Sequence, residues 1–454
     1  MPKLAIIDQA LSAGGVERYV HGLIGGMMEL PEFSGWDVTL VLPEANTYQL
    51  DLAWPDELEA KGIKVIHLKE DLMTKLTVRF SDRVQAGGGR LCGLRGTIKL
   101  QRYLLPPLIY WMIGRSRCLE GNLEYFKTRI ERIVKRGRFD VVYFSYPYFM
   151  DCPDISAPIV CTPHDFVYKR LEGVFKPHLL ELLDRQVPVW LEKSEAIVVS
   201  SNFIRDELKD LYPGSEKKAT VIRAGIPVAE RMPAMEEAEE VRLRMGLPQQ
   251  FVLCVAGITR HKNQKLVFEA LGRLKNRGID LPLVCVGPNS ERLRPEYAGE
   301  RGEYALKTIE AASGFGMKHG RDYFGLGFVD DFELEALYMM ATALVAPSLY
   351  EAGSFPSIEA MRLGCPVLLS NIPSLKEKYE VLGGNAYLFD PCDPGDLADA
   401  LWEMLSDPQE RAEKSRRALE ILPEVYSWKK AAGAYLEVFQ KAARRRRRRN
   451  REAP

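Results

Sequence analysis

Two glutamates separated by seven residues are the most informative candidates for chemistry in this chain. Glu351 and Glu359 flank the segment Ala-Gly-Ser-Phe-Pro-Ser-Ile, which follows the apolar run at 343–348. Two carboxylates can accept hydrogen bonds from a polyol such as a sugar or a ribose, and the unpaired N–H groups of a helix start between them attract phosphate. The alternative is that Glu359 only stabilises a helix start and that Glu351 is solvated. The small residues between the glutamates favour a ligand site.

The residues around this pair also predict the element that holds it. Pro356 and its flanking serines are typical of a helix start at 354–357, and Gly364 ahead of a proline is typical of a helix end. Glu359 is therefore expected in the first helical turn, and Glu351 in the loop before it.

A second loop carries two cations. Arg260 and Lys262 lie in the segment Ile-Thr-Arg-His-Lys-Asn-Gln at 258–264, directly after the apolar run at 251–257. A guanidinium fork and an ammonium group are suited to neutralising the diphosphate of a leaving group. They are equally suited to a solvated loop ahead of a helix, so the residues alone leave both interpretations open.

The N-terminal half contributes a histidine and a pair of glycines. His164 follows the run at 158–162, so it is expected at the carboxyl end of a strand. A lone histidine is more often structural than catalytic, but this position favours a role in a site. Gly14 and Gly15 precede a helical pattern, where paired glycines let the backbone approach a ligand closely. A plain turn explains them equally well.

Short apolar runs must position these loops. Six occur in each half of the chain, and amphipathic stretches separate most of them; the runs are 4–8, 38–42, 63–68, 141–145, 158–162, 196–201, 251–257, 281–287, 323–329, 343–348, 366–370 and 386–390. Runs this short and apolar are typical of parallel strands covered on both faces. The alternation predicts an α/β fold of two Rossmann-like doubly wound domains that face each other across a cleft, because ligands of such sheets bind beyond the carboxyl ends of the strands.

The predicted domain boundaries follow from shifts in composition. A charged stretch between Pro227 and Pro248 is the predicted linker, and a basic and apolar insertion is predicted in the first domain. The segments are an N-terminal domain at 1–227 with an insertion at about 72–117, a linker at 228–248, a C-terminal domain at 249–425, a helical segment at 426–443, and an arginine-rich disordered tail at 444–454.

Composition excludes several classes of function. The formal net charge of the 454 residues is zero, so nothing global indicates nucleic acid as a partner. The eight cysteines include no Cys-x-x-Cys pair, and the acidic clusters at 330–331 and 390–396 are better interpreted as turns and helix starts, so no metal site is expected. The first apolar run is too short for a signal peptide, and no run approaches a membrane span, which predicts a cytoplasmic protein.

The motifs resemble a known family. The stretch Phe324–Pro391, with GFVDDFELEALYMMATALVAPS, the Glu-x7-Glu segment, EAMRLGCPVLLSNIPSLKE and GGNAYLFDP, is similar to the donor-binding half of the family 4 retaining glycosyltransferases of the GT-B fold. The resemblance extends more loosely along most of the chain and is nearest to the mannosyltransferase branch. It implies that the N-terminal domain binds the acceptor, that the C-terminal domain binds the donor, and that the helix at 426–443 crosses back to the first domain. This family commonly has Gly-Phe-Gly after the first glutamate, where the chain has Ala-Gly-Ser, so the resemblance leaves the sugar open.

The resemblance implies roles for the candidate residues. Glu359 would bind the ribose of a nucleotide-sugar donor, and Glu351 would contact the transferring sugar. Three backbone amides would lie near that sugar: those of Gly353, Ser354 and Phe355. Lys262 and Arg260 would brace the leaving phosphate.

On the N-terminal side, the resemblance implies that His164 touches the donor sugar or its phosphate. Gly14 and Gly15 would lie near the donor phosphates and the acceptor. The family works without a bound metal ion or other cofactor, so none is expected.

The implied activity is transfer of a hexose, mannose or a related sugar, to a hydroxyl of a glycan or lipid-linked acceptor with retention of configuration. A catalytically inactive GT-B scaffold that binds sugars or lipids as an adaptor is the alternative from another class. A Rossmann dehydrogenase is not favoured, because the segment after the first strand lacks G-x-G-x-x-G.

Two segments bear on the membrane. The apolar stretch at 103–113 has basic flanks, and it is predicted either to form a helical hairpin on the first domain or to lie in the interface of an anionic membrane. The six arginines at 444–449 predict a solvated tail that adds to such attachment or binds nucleic acid nonspecifically. The inner face of the membrane is therefore a predicted location, and nucleic acid is not expected as a specific partner.

Overall fold

A computed structural model of the chain describes residues 1–8, 15–43, 54–68, 117–148, 150–226 and 231–452. Gly14 and all but the last residue of the predicted insertion at 72–117, including the apolar stretch at 103–113, lie outside the described residues.

The first half of the chain forms a parallel sheet of seven strands in the described residues, with the order β3-β2-β1-β4-β5-β6-β7. The strands are β1 (Lys3–Ile7), β2 (Asp37–Pro43), β3 (Lys64–Leu68), β4 (Val141–Phe144), β5 (Ile159–Cys161), β6 (Ser194–Val199) and β7 (Ala219–Val221). The order reverses between β1 and β4, which is the switch point at which a doubly wound sheet opens a crevice at the carboxyl ends of its strands.

The second half forms a parallel sheet of six strands, with the order β10-β9-β8-β11-β12-β13. The strands are β8 (Val252–Val255), β9 (Leu283–Val286), β10 (Tyr323–Gly327), β11 (Ala343–Ala346), β12 (Val367–Ser370) and β13 (Tyr387–Phe389). Its switch point lies between β8 and β11, so the loops after these two strands share one crevice. These are the two loops that carry Lys262 and Glu351.

Each of the twelve predicted apolar runs overlaps a strand, which confirms two doubly wound α/β halves. The strand that the sequence analysis missed is β7. It has three residues, none of them fully buried, at the edge of the sheet, so no apolar run marks it.

Helices cover both faces of both sheets. In the first half they are α1 (Gly15–Met28), α2 (Trp54–Ala60), α3 (Arg117–Gly137), α4 (Val167–Arg170), α5 (Pro177–Lys193) and α6 (Asn202–Leu211). In the second half they are α7 (Met235–Arg244), α8 (Gln264–Asn276), α9 (Glu303–Gly314), α10 (Asp331–Met340), α11 (Phe355–Arg362), α12 (Pro373–Val381), α13 (Pro394–Ser406), α14 (Pro408–Val425) and α15 (Trp428–Glu452). Asp330 and Asp393 accept hydrogen bonds from the first turns of α10 and α13, which confirms that these acidic clusters begin helices.

The predicted linker at 228–248 contains the helix α7, in which Ala238 and Val241 share one face and pack with Ala336 of α10. One element differs from the prediction. The tail that was predicted to be disordered from 444 continues α15 as far as Glu452, since arginine propagates a helix that is already begun.

The long helix α15 packs on the first domain. Its buried residues Ala432, Tyr435 and Phe439 belong to the apolar core that also contains the face of β1 and of α1. The Tyr435 hydroxyl lies 2.7 Å from that of Tyr19 and 2.8 Å from Thr162 Oγ1, so the buried polar atoms of this contact are hydrogen-bonded. The helix therefore ties the end of the chain to the domain in which the chain begins.

A pair of glycines in α1 tests this packing. A Cβ atom at Gly22 would lie 2.1 Å from the ring of Trp428, whereas one at Gly25 would meet nothing within 4 Å. We expect Gly22→Ala to lower the free energy of unfolding by about 1–3 kcal/mol through overpacking. The control Gly25→Ala is expected to raise it by about 0.5–1 kcal/mol, because alanine favours the helix. Urea unfolding measures both, and equal effects of the two substitutions would contradict the docking of Trp428 on α1.

Candidate functional site

The carboxyl ends of the two sheets enclose a cavity of about 230 Å³. The loops after β5 and β11, the start of α1 and the helix α12 supply much of its lining. Among the lining residues are Gly15, Tyr19, His164, Asp165, Arg223, Glu351, Gly353, Ser354, Phe355, Ser374, Glu377, Lys378 and Tyr426. Six of the predicted site residues therefore share one cavity: Gly15, His164, Glu351, Gly353, Ser354 and Phe355.

Glu351 lies in the loop before α11, as predicted, and its carboxylate is paired. Lys262 Nζ donates to Glu351 Oε2, and Ser348 Oγ donates to the same oxygen at 3.2 Å. Burial by itself raises the pKa of this carboxyl, but Lys262 outweighs it and the pKa is lowered overall. The two predicted loops thus meet at one ion pair, and Glu351 is ionised.

Glu359 occupies a different position from the predicted one. The helix α11 begins at Phe355 and ends before Gly364, as expected. Glu359, however, falls in the second turn of this helix, where its carboxylate cannot cap the N–H groups of the first turn. It is buried and accepts hydrogen bonds from the Tyr338 hydroxyl at 2.8 Å and from Arg18 Nη1 at 2.9 Å. Burial raises the pKa of this carboxyl, against the opposing effect of Arg18.

His164 is held by a backbone carbonyl. Its Nε2 lies 2.8 Å from the carbonyl oxygen of Ser145, which can only accept, so Nε2 carries the proton and Nδ1 is left as an acceptor. Its ring meets the ring of Tyr19 edge-on at 5.0 Å. Burial lowers the pKa of His164 to about 4, so the imidazole is neutral at physiological pH.

Asp165, next to His164, lines the same cavity and was not among the predicted site residues. Its Oδ1 accepts a hydrogen bond from the Val167 amide at 3.0 Å, and this bond begins α4. Burial raises the pKa of Asp165 to about 6, and the charge of Glu351 contributes in the same direction. Glu351 and Asp165 therefore belong to one electrostatic cluster on opposite sides of the cleft.

The glycine turn and the Glu-x7-Glu segment face each other. A Cβ atom at Gly15 would lie 3.7 Å from the ring of Phe355, so the start of α1 packs against the start of α11. Gly353 has open space where its side chain would be. Residues at the starts of α1 and α11 therefore line the same cavity.

The side chain of Arg260 does not pair with Glu351. It begins a short 3₁₀ segment (Arg260–Lys262), and its Nη1 reaches the other domain, where it donates to the carbonyl oxygen of Glu172 at 3.4 Å. Of the two predicted cations, Lys262 alone contacts a signature glutamate.

Several residues that hold the cleft together were missed from the sequence. Glu377 of α12 accepts hydrogen bonds from the Phe203 amide at 2.8 Å and from Arg223 Nη2 at 2.9 Å, both in the first domain. Tyr350 donates to Glu207 and accepts from the Phe166 amide at 3.0 Å. Each is an isolated residue of an ordinary type, so no local pattern marks it.

Lys378 of α12 is a further cation that the sequence did not reveal. Its Nζ donates to the carbonyl oxygen of Ser354 at 2.6 Å and to Ser357 Oγ at 2.8 Å. The side chain is buried, and burial lowers the pKa of Lys378 to about 7.

Within the described residues there is no group of three or more histidine, cysteine, aspartate or glutamate side chains suited to holding a metal ion. In the same part of the chain, none of the helices combines the length and the apolar character needed to cross a bilayer.

Two models of protein families match the chain. The family described as "Glycosyl transferases group 1" matches residues 236–420, and the one described as "Glycosyltransferase Family 4" matches residues 98–230. The two matches lie on either side of the connection between the domains.

Curated relatives carry related names. The chain is 25% identical over 305 residues to the serotype-specific mannosyltransferase WbdA of Escherichia coli, which covers 65% of the chain and 35% of WbdA. It is 26% identical over 338 residues to an MMP alpha-(1->4)-mannosyltransferase of Mycolicibacterium hassiacum, covering 70% of the chain and 75% of that protein. A glycogen synthase of Mycobacterium tuberculosis is 28% identical over 273 residues, which cover 58% of this chain and 59% of that protein. The alignment thus spans about a third of the length of WbdA.

Solved structures share the fold. HepE of Anabaena, in complex with UDP and glucose, superposes with a TM-score of 0.65 at 14% identity and covers 97% of this chain and 100% of that one. Sucrose-phosphate synthase of Thermosynechococcus elongatus gives a TM-score of 0.66 at 17% identity, covering 97% and 99%. The two facing parallel sheets are thus the GT-B fold.

The low basicity of His164 can be observed directly. In the NMR spectrum of a histidine-labelled sample, we expect the ring resonance of His164 to titrate with a pKa of about 4, because burial disfavours the imidazolium. Loss of that resonance in His164→Gln assigns it. Titration of the assigned resonance near pH 6.5, the ordinary range of histidine, would contradict the enclosed, neutral imidazole.

Proposed function

The chain belongs to the family 4 glycosyltransferases of the GT-B fold, and from that premise we propose that it transfers a hexose from a nucleoside diphosphate sugar to a hydroxyl group with retention of configuration. The observation that carries this proposal is the ion pair of Glu351 and Lys262, which joins the loops after β8 and β11, with Glu351 and His164 lining the same cavity. The acceptor we propose is a glycan or a lipid-linked sugar.

Mannose or a related hexose is the proposed sugar. WbdA and the MMP relative are both named mannosyltransferases, which supports this choice. Because another relative is named a glycogen synthase, the proposed class of transferred sugar is a hexose and is not restricted to mannose.

In the proposed reaction, the bond between the anomeric carbon and the β-phosphate oxygen breaks while the acceptor oxygen bonds to the same carbon on the same face. Negative charge then develops on the departing diphosphate. Lys262 and Arg260 lie on the loop after β8, and fixed cations there would stabilise that charge in a cleft that excludes water. The proton of the acceptor hydroxyl passes to the departing phosphate, so no side chain is assigned as general base.

Glu351 and Glu359 have separate roles in this proposal. Glu359 accepts hydrogen bonds from the ribose hydroxyls, for which it must exchange at least part of its contact with Arg18. Glu351 faces the transferred hexose, beside the amides of its own turn. The positively charged Lys262 that pairs with Glu351 in the free protein is then shared with the donor diphosphate.

His164 contributes as a neutral group. Because Nε2–H is committed to the Ser145 carbonyl, Nδ1 is available to accept a hydrogen bond from a sugar hydroxyl. A neutral acceptor orients the sugar without adding positive charge near the anomeric carbon.

The proposed place of action is the cytoplasm, at the inner face of a membrane when the acceptor is carried on a lipid. The predicted basic and apolar insertion at 72–117 and the arginines at 444–449 support attraction to anionic lipid.

Two substitutions separate binding of the donor from turnover. We expect Glu359→Ala to weaken donor binding about tenfold or more, because a buried acceptor of ribose hydrogen bonds is lost. Lys262→Ala is expected to lower turnover by about 100-fold or more, since it removes a fixed charge beside the leaving group. Calorimetry with donor nucleotides and release of nucleoside diphosphate measure the two effects.

The exposed pair Glu303 and Lys307 on α9 supplies matched controls, and Glu303→Ala and Lys307→Ala should leave both quantities unchanged. Full activity in both Glu359→Ala and Lys262→Ala would refute the assigned site. Binding of donor nucleotide by the wild-type protein without turnover on any acceptor fraction would favour the adaptor instead.

We also propose that the reaction uses no metal ion, because Lys262 and Arg260 take the charge-stabilising role. Turnover is therefore expected to be unchanged in excess EDTA and unaltered by added Mg²⁺ or Mn²⁺. Loss of activity in EDTA with recovery on adding one of these ions would contradict this part of the proposal.

A further inference from the structure

Lys378 is a buried cation that the proposed reaction does not yet use. It is 5% exposed, and the acceptors of its ammonium group are two uncharged oxygen atoms, those of Ser354 and Ser357. In the part of the chain that the structure describes, no carboxylate forms an ion pair with it. A buried charge without a partner is costly, so its presence in the wall of the cleft requires an explanation.

The first of its contacts holds the signature turn in place. Lys378 Nζ bonds both the carbonyl oxygen of Ser354 and Ser357 Oγ, and Ser357 Oγ donates to the same carbonyl at 2.8 Å. These three atoms form a closed set of hydrogen bonds at the start of α11. The peptide that joins Ser354 to Phe355 is therefore oriented by Lys378, and both of these residues line the cavity.

The glutamates around Lys378 are paired with other cations. Glu351 pairs with Lys262, Glu359 pairs with Arg18, and Glu377 on its own helix pairs with Arg223. The Tyr426 ring lies 5.7 Å from the ammonium group. Across the cleft, His164 is neutral, and Asp165 accepts a hydrogen bond at the start of α4. Since each neighbouring glutamate has a cation of its own, Lys378 is left without an ion-pair partner among the described residues.

We propose that Lys378 is a positioning residue for the donor diphosphate: it fixes the turn at 354–357, and its amine, which has no carboxylate partner among the described residues, gains an anionic partner when a nucleoside diphosphate enters the cavity. This inference rests on the proposed function, which supplies the nucleotide.

Binding of the nucleotide should therefore be coupled to uptake of a proton. Burial lowers the pKa of Lys378 to about 7 in the free protein, and Glu351 and Glu359 oppose that effect only in part. At pH 8 the free amine is mostly neutral, whereas a nearby diphosphate favours the ammonium form. The protein then takes up a proton as the anion binds, and the affinity falls as the pH rises above 7.

Calorimetry tests this coupling. UDP, GDP and ADP are titrated into the full chain at pH 8 in HEPES and in Tris, whose different ionisation enthalpies report the number of protons taken up. For a nucleotide that binds, we expect uptake of about half a proton or more by the wild-type protein. Lys378→Met should abolish the uptake and weaken binding about tenfold.

Two further variants make the outcome decisive. Lys378→Arg keeps the charge but does not titrate, so it should bind within about threefold of wild type and take up no proton. Lys307→Met, at an exposed lysine, should retain both the affinity and the uptake. If Lys378→Met fails to fold, as judged by circular dichroism, the presence or absence of proton uptake in Lys378→Arg still tests the role of Lys378.

Tight binding by the wild-type protein without proton uptake would overturn the role of Lys378 and leave the proposed function intact. Uptake that persists in Lys378→Arg or Lys378→Met would also overturn it, because Asp165 or another group would then be the acceptor of the proton. If the wild-type protein binds none of the three nucleotides, the proposed function itself fails, and this inference with it.

Discussion

The structure depends on one electrostatic constraint: a carboxylate buried at the base of a cleft must have a cationic partner. Glu351 and Glu359 are both enclosed, and each pairs with a cation from a different element, Lys262 from the loop after β8 and Arg18 from α1. Without these partners, desolvation would raise the pKa of both carboxyls and weaken them as acceptors for hydroxyl groups. The pairs therefore preserve the charge that a polyol ligand requires, and they draw the surrounding loops together.

The same constraint links the two domains. Arg18 reaches Glu359 from the other domain, and Glu377 meets Arg223 and the start of α6 in the reverse direction. The helix α15 adds an apolar tie to the first domain. A ligand that exchanges any of these partners changes the contacts between the domains, so binding in the cleft and the relative position of the domains are coupled by the charges themselves.

Burial in the cleft also sets the protonation states of His164 and Lys378. His164 is kept neutral by burial, and its tautomer is set by a backbone carbonyl. Lys378 carries a charge that none of the described residues neutralises with an ion pair, and it lies beneath the turn between the two glutamates. A site with paired glutamates, a neutral histidine and a lysine that has no carboxylate partner among the described residues is suited to a ligand that combines hydroxyl groups with a dianion. A sugar nucleotide has this composition.

The sequence by itself determined the two doubly wound sheets, the start and end of α11, and six of the residues that line the cavity. Apolar runs and loop residues are local signals, and parallel strands place the loops after them at one edge. Only the tertiary structure decided which charges meet. Arg18, Lys378 and Glu377 carry no local signature, and Arg260 matched the expected motif but is directed elsewhere. Pairing depends on distances between elements far apart in the chain, which no pattern of neighbouring residues encodes.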